Sequence, residues 1–125
     1  MIACNSKPAL NDITYHEMLS LVAAMSETST EFQDAVHSGR LSFAASGQHS
    51  PCLNLSRING HLAHISRDAD FVLLHGMGRA IHTNLRAKLV CDTLKLAVIK
   101  TEVVAKELDA HLYEAVVLFE PAPTV

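Results

Sequence analysis

The residues that are best suited to bind ligands or take part in a reaction lie in two short loops, each placed between a predicted strand and a predicted helix. The first loop reads Asn5-Ser6-Lys7-Pro8-Ala9-Leu10-Asn11-Asp12 and combines a carboxylate, two amides and an ammonium group. Carboxylate and amide oxygens suit a hard cation such as Mg²⁺ or Mn²⁺. Asp12 is therefore a candidate metal ligand and Asn11 a supporting residue. The alternative is that Asp12 only caps the helix that follows.

The second loop contains Gly76, Met77, Gly78 and Arg79 and follows an apolar run. Glycines allow a backbone to approach an anion closely, and an arginine adds a planar pair of donors. These four residues are predicted to bind a phosphate group. A purely structural strand-to-helix turn is the alternative, because short glycine motifs are weakly specific.

Asn84, at the end of this second loop, and Lys100, which follows a later predicted strand, are the other polar residues assigned to the phosphate. We predict supporting contacts to phosphate, with a turn cap and a strand-flanking charge as the respective alternatives. His61 and His64 share a helix face, but zinc normally takes three or four ligands and no third partner lies nearby in the sequence. The three cysteines are widely separated, which predicts free thiols rather than disulfides or a cysteine zinc site.

Apolar segments and breakers predict alternating strands and helices, an order typical of the α/β class. Residues 71–74 form an uninterrupted apolar run, which predicts a strand buried on both faces. Thr14 and Glu17 have the spacing of a capping box. Strands are predicted at residues 1–4, 41–45, 71–74, 94–99 and 115–119, and helices near residues 12–25, 30–37, 59–67 and 102–108. In one mostly parallel sheet, the Asp12 and Gly76 loops would lie at the same edge.

The composition limits the classes of partner. The chain has 125 residues, 49% of them hydrophobic, with a net charge of -3 and a pI near 6.2. This length predicts one domain, and the absence of a basic surface argues against nucleic acid. The apolar runs are too short to cross a bilayer and the N-terminal residues do not resemble a secretory signal, which predicts a cytoplasmic protein without a membrane partner.

Three stretches carry a resemblance to a known family: NSKPALNDITY, SPCLNLSRI and DFVLLHGMGRAIHTNLRAKLVCDTLKLAVIK. They resemble the DUF89 damage-control phosphatases, in particular the subfamily fused to pantothenate kinase 4. The resemblance implies an α/β/α fold with a mostly parallel sheet, with residues 1–120 as the C-terminal part of the domain and residues 121–125 as a tail. It also implies hydrolysis of a small phosphorylated metabolite, such as 4′-phosphopantetheine or its damaged forms, with a divalent metal (Mn, Ni, Co or Mg).

The resemblance assigns roles to individual residues. Asp12 matches a metal-binding aspartate of the family, and Asp12 and Arg79 are implied to be catalytic. The family motif EGMGR falls on residues 75–79, with His75 in place of the acid. An Asp-Asn pair that completes the family's metal site has no counterpart, so we expect an incomplete and inactive or impaired phosphatase. The alternative is a non-catalytic phosphate-binding or interaction module, and a homodimer or a kinase-like domain is a possible partner.

Overall fold

The computed structural model describes residues 1–124; Val125, the last residue of the predicted tail, lies outside the described residues. Strands and helices alternate along much of the chain, which confirms the α/β class. The elements are β1 (Ile2–Cys4), α1 (Tyr15–Thr28), α2 (Thr30–His37), β2 (Phe43–Ala45), a 3-10 helix (Leu55–Arg57), α3 (Gly60–Ile65), β3 (Phe71–His75), a π-helix (Met77–His82), β4 (Asp92–Val98), α4 (Glu102–Glu107) and β5 (Ala115–Glu120). None of the helices within residues 1–124 is long and apolar enough to cross a bilayer.

The strands do not form the single sheet that the sequence predicts. β1 pairs in parallel with β2, and a separate sheet has the order β3-β4-β5. β3 and β4 are parallel, whereas β5 runs antiparallel to β4. The chain accordingly divides into two compact units, the first formed by residues 1–51 and 55–67 and the second by residues 52–54 and those from 68 onward. Apolar patterns identify strands but do not specify their partners, which explains the difference.

In the first unit, α1 begins with the predicted capping box. The Thr14 hydroxyl accepts a hydrogen bond from the Glu17 backbone N–H at 3.3 Å, and Glu17 Oε2 accepts one from the Thr14 backbone N–H at 2.8 Å. The hydrogen bond from the Thr14 backbone N–H lowers the pKa of Glu17 most, and the bond that the Thr14 hydroxyl donates to the same carboxylate lowers it further. Thr14, rather than Asp12, is therefore the N-cap of α1.

In the second unit, one face of the β3-β4-β5 sheet packs on the π-helix and α4. The core consists of Leu74, Ala80, Ile81, Ala97, Ile99, Val104 and Ala105. The prediction that residues 71–74 are buried on both faces is wrong, because Phe71 and Leu73 are each 50% exposed. Alternate residues of a strand point to opposite faces, and within residues 1–124 only the face that carries Leu74 is well covered.

Gly47 provides a stability prediction for the first unit. It has a φ of +82°, and a Cβ atom there would lie 2.9 Å from Asn59 Cβ and 3.2 Å from the Asn59 backbone nitrogen. Gly39, with a φ of +75° and open space around the same position, is a matched control. Gly39→Ala should cost about 1 kcal/mol of unfolding free energy through backbone strain alone. Gly47→Ala should cost about 2–4 kcal/mol, because overpacking adds to the strain.

Chemical denaturation of both variants measures this difference. Asn59 is the N-cap of α3 and also donates to the Ala45 carbonyl oxygen at 2.7 Å, so it cannot yield without losing one of these bonds. Equal losses of stability in the two alanine variants would contradict the close approach of Gly47 and Asn59.

Candidate functional site

The loop of residues 5–12 leaves β1 and turns back sharply before α1. The Asp12 backbone N–H donates to the Ala9 carbonyl oxygen at 3.0 Å, and Leu10 within this turn has a φ of 52°. A bulky residue with positive φ is unusual and indicates a conformation imposed by its surroundings. The Tyr15 N–H donates to the Asn5 carbonyl oxygen at 2.8 Å. The turn thus returns the chain alongside its own beginning and places Asp12 beside Asn5.

Asn5 contacts the Asp12 carboxylate, and the sequence did not predict this contact. Its side chain is buried, with 4% of the residue exposed. Nδ2 donates to the Ser50 carbonyl oxygen at 3.2 Å and lies 3.5 Å from Asp12 Oδ2. Asn11, which the sequence assigned to the supporting role, is exposed in the turn, and that role stays a prediction. The available signal was the position of Asn5, directly after the buried last residue of β1.

A second set of hydrogen bonds anchors the 5–12 loop to the segment after β2. The Ser6 hydroxyl accepts from the Gly47 N–H at 2.7 Å, and the Ser6 N–H donates to the Gln48 carbonyl oxygen at 2.8 Å. Together with the contact from Asn5 to Ser50, these bonds fix the start of the loop. Asn5 and Ser6 therefore act as positioning residues for the turn that carries Asp12.

Asp12 is half-buried and borders an open cleft of about 350 Å³. The cleft is lined by Pro8, Leu10, Asn11, Asp12, Ile13 and Glu17. Its oxygen donors suit a hard cation, but the Glu17 carboxylate is already bound to Thr14. Within the part of the chain that the structure describes, no three His, Cys, Asp or Glu side chains cluster to hold a metal ion. The donors fit such a cation in type but are too few to complete its coordination.

The loop of residues 76–79 lies at the carboxyl ends of the parallel strands β3 and β4. The Gly76 N–H donates to the Leu96 carbonyl oxygen at 2.8 Å, which extends the pairing past β3. Gly76 then adopts φ 106° and ψ 147°, a conformation that side chains disfavour, and a Cβ atom there would meet nothing within 4 Å. The backbone of this glycine is therefore approachable from the open space beside it.

The chain continues from Gly76 into a π-helix rather than an α-helix. Such helices are rare in proteins, and those that do occur often lie at functional sites. The Lys100 backbone N–H contacts Met77 Sδ at 3.3 Å, so the segment after β4 lies against this loop. The structure thus brings together Gly76, Met77 and Lys100, three of the residues assigned to phosphate binding.

Asn84 lies beneath this loop with 3% of its surface exposed. Its Nδ2 donates to the carbonyl oxygens of Arg79 and Leu53 at 2.7 and 2.9 Å and also lies 3.0 Å from Thr83 Oγ1. These contacts tie the end of the π-helix to the segment 52–54. The donors of Asn84 are thus occupied by protein oxygens, and a direct contact to phosphate remains only a prediction.

His75, the departure from the family motif, is the last residue of β3 and is exposed. Alternation along the strand places its side chain on the same face as Phe71 and Leu73, opposite the buried Leu74. The neighbouring strand places Leu96 opposite it in the parallel register. Its imidazole is therefore close to the carboxyl edge of the sheet but is not part of the core.

The comparisons with known proteins agree with the sequence resemblance. The chain is 38% identical to a damage-control phosphatase of Arabidopsis thaliana, in an alignment that covers 95% of the chain and 32% of that protein. It is 34% identical to pantothenate kinase 2 of Oryza sativa, over 98% of the chain and 16% of that protein. It is 31% identical to the mouse 4′-phosphopantetheine phosphatase, over 96% of the chain and 21% of that protein.

The chain thus spans less than a third of the length of these relatives. A family profile, described as the damage-control phosphatase ARMT1-like domain, matches residues 1–116. This match includes the 5–12 loop, the 76–79 loop and Lys100. The chain belongs to the ARMT1-like damage-control phosphatase family.

Proposed function

We propose that this chain supplies part of a metal-dependent phosphatase that hydrolyses phosphate monoesters, and that by itself it is inactive or impaired. The observation that carries the proposal is the 76–79 loop, which lies with Lys100 at the carboxyl ends of two parallel strands. Ligands of open α/β sheets bind at this edge, in the loops that follow the strands. Membership of a phosphatase family supports a phosphate ester as the ligand class.

Several features of the 76–79 loop support phosphate binding. The conformation of Gly76 leaves open space where a side chain would otherwise stand. Backbone N–H groups and a guanidinium can surround phosphate oxygens, and a lysine ammonium adds a positive charge. We therefore assign Arg79 and the backbone of residues 76–78 to the phosphate, with the Met77 and Gly78 N–H groups as donors because the Gly76 N–H is bound to the Leu96 carbonyl oxygen. Lys100 is assigned as a neighbouring charge and Asn84 as a support.

Asp12 is the proposed metal ligand, held in place by Asn5. A divalent cation, with Mn, Ni, Co and Mg as candidates, would activate water for attack on phosphorus and neutralise charge on the phosphoryl oxygens. Asp12 supplies one negative charge to such a site, and Asn5 holds that carboxylate at the mouth of the cleft. The remaining ligands would come from residues outside this chain.

The name of the mouse relative supports 4′-phosphopantetheine and its damaged forms as the substrate class. Two of the similar proteins are named pantothenate kinases, which supports a kinase-like domain as a partner. The shortage of metal ligands within residues 1–124 favours a second candidate, a non-catalytic module that binds a phosphorylated ligand through the 76–79 loop.

Turnover by the isolated chain and by a chimera separates these functions. The chimera carries this chain in place of the matching segment of the Arabidopsis damage-control phosphatase. With Mn²⁺, the isolated chain should hydrolyse a generic phosphate ester barely above the metal-only background, because one carboxylate cannot hold the cation firmly. The chimera should turn over well above that background.

Two outcomes would contradict this assignment. Robust turnover by the isolated chain that is lost in Asp12→Ala would show that its metal site is complete. An inactive but folded chimera that still binds inorganic phosphate would favour the non-catalytic module over the phosphatase.

A further inference from the structure

We propose that Lys95, a residue of β4, is a positioning residue that sets the conformation of the 76–79 loop. This proposal rests on the proposed function, because it concerns the same phosphate-binding loop. Lys95 is fully buried, with 0% of the residue exposed. Its Nζ donates to the carbonyl oxygens of Leu85 and Ala87 at 2.8 and 2.9 Å and to the Glu120 carboxylate.

A buried ammonium group is costly unless each of its protons has an acceptor. Three protons meet three acceptors here, one of them an anion. The pKa of Glu120 is lowered because the ammonium groups of Lys88 and then Lys95 donate to its carboxylate. No donor of Lys95 remains for a ligand, so its role is exerted through the segments that it holds.

Those segments lead directly to the 76–79 loop. Leu85 and Ala87 follow Asn84, whose Nδ2 holds the Arg79 carbonyl oxygen at 2.7 Å. The Thr83 hydroxyl donates to the Gly78 carbonyl oxygen at 3.0 Å. Lys95 fixes residues 85–87, and residues 83 and 84 then fix the carbonyl groups of the loop. Loss of the ammonium group frees residues 85–87 and thereby loosens residues 83 and 84, which contact the loop.

Lys88 offers a matched control, because it contacts the same carboxylate from the surface. Its side chain is 72% exposed, whereas that of Lys95 is 0% exposed. Exposed ion pairs contribute little to structure, and a buried charge that loses its partners costs far more. Lys95→Met and Lys88→Met therefore each remove one ammonium group from Glu120, but only the first releases the carbonyl groups of Leu85 and Ala87.

Nuclear magnetic resonance of the whole chain tests the proposal. In Lys95→Met, the side-chain amide protons of Asn84 should lose their protection from solvent exchange, while the Ile99 backbone amide in the core stays protected. Titration with inorganic phosphate, observed at the Gly76 and Gly78 amides, should show affinity weaker by about fivefold or more. Lys88→Met should change each reading by less than about twofold, as expected for an exposed pair.

The proposal is overturned if the amides of Asn84 and Ile99 lose protection together, or if neither changes, in Lys95→Met. If that variant does not fold, Lys95→Gln replaces it, because its shorter, uncharged side chain also removes the ammonium group from the Leu85 and Ala87 carbonyl oxygens, and a selective loss at Asn84 is again expected. A native chain whose Gly76 and Gly78 amides do not respond to phosphate would instead contradict the proposed function. The contrast between Asn84 and Ile99, measured without phosphate, would still decide the role of Lys95.

Discussion

Replacing Asp12 with asparagine in the chimera should lower kcat by about 100-fold to 1,000-fold, as for other groups that stabilise charge in a transition state. The substitution keeps the shape of the side chain and removes its negative charge. A hard cation prefers charged oxygen ligands, so the loss should also weaken Mn²⁺ binding. Steady-state rates over a range of Mn²⁺ concentrations measure both effects.

The control is Asp68→Asn, which removes the same charge from an exposed residue outside the 5–12 loop. It should retain kcat within about twofold, since Asp68 is no part of the proposed metal site and exposed charges are largely screened by salt. An Asp12→Asn chimera that is folded and as active as its parent would eliminate Asp12 as the metal ligand. Recovery of its rate at high Mn²⁺ would instead locate the defect in metal binding.

Restoring an acid at position 75 should increase activity in the same chimera. His75→Glu is expected to tighten Mn²⁺ binding about tenfold, equivalent to about 1.4 kcal/mol, and to raise the phosphatase rate. A carboxylate adds negative charge at the strand end that precedes the 76–79 loop, whereas an imidazole adds none. Because the side chain is exposed, this exchange should cost little stability.

His75→Gln separates charge from shape, because it introduces a neutral side chain close in size to glutamate. It should resemble the histidine form in Mn²⁺ affinity and in rate, because neither side chain carries a carboxylate. Equal metal affinity and rate in the histidine, glutamine and glutamate forms would show that position 75 has no electrostatic role.

Local features were predictable from the sequence because they depend on residues close together in the chain. The capping box of Thr14 and Glu17 spans a single helical turn, and α2 has the predicted bounds. The ends of the strands were predicted to within two residues, although the pairing of the strands was not. Gly76 was identified because a glycine between a strand and a helix lets the backbone approach an anion closely.

Contacts between distant residues could be decided only by the tertiary structure. Asn5 and Asp12 are seven residues apart, and only the folded turn at Leu10 brings Asn5 Nδ2 within 3.5 Å of Asp12 Oδ2. Strand pairing was similarly open, since an apolar pattern has no direction and β5 could have joined β4 in either sense.

Lys95 shows most clearly what the sequence alone could not predict. A lysine within a strand predicts an exposed charge, because burial of an ammonium group is unfavourable without partners. Its three acceptors belong to Ala87, Leu85 and Glu120, which are separated from Lys95 by 8, 10 and 25 positions in the sequence. Burial of the ammonium group is possible because the fold brings these acceptors together. The sequence by itself therefore determined the family, the four α-helices and the two loops whose side chains could bind ligands. The tertiary structure decided which side chains hold those loops in place, because that depends on hydrogen bonds that form only when distant segments meet.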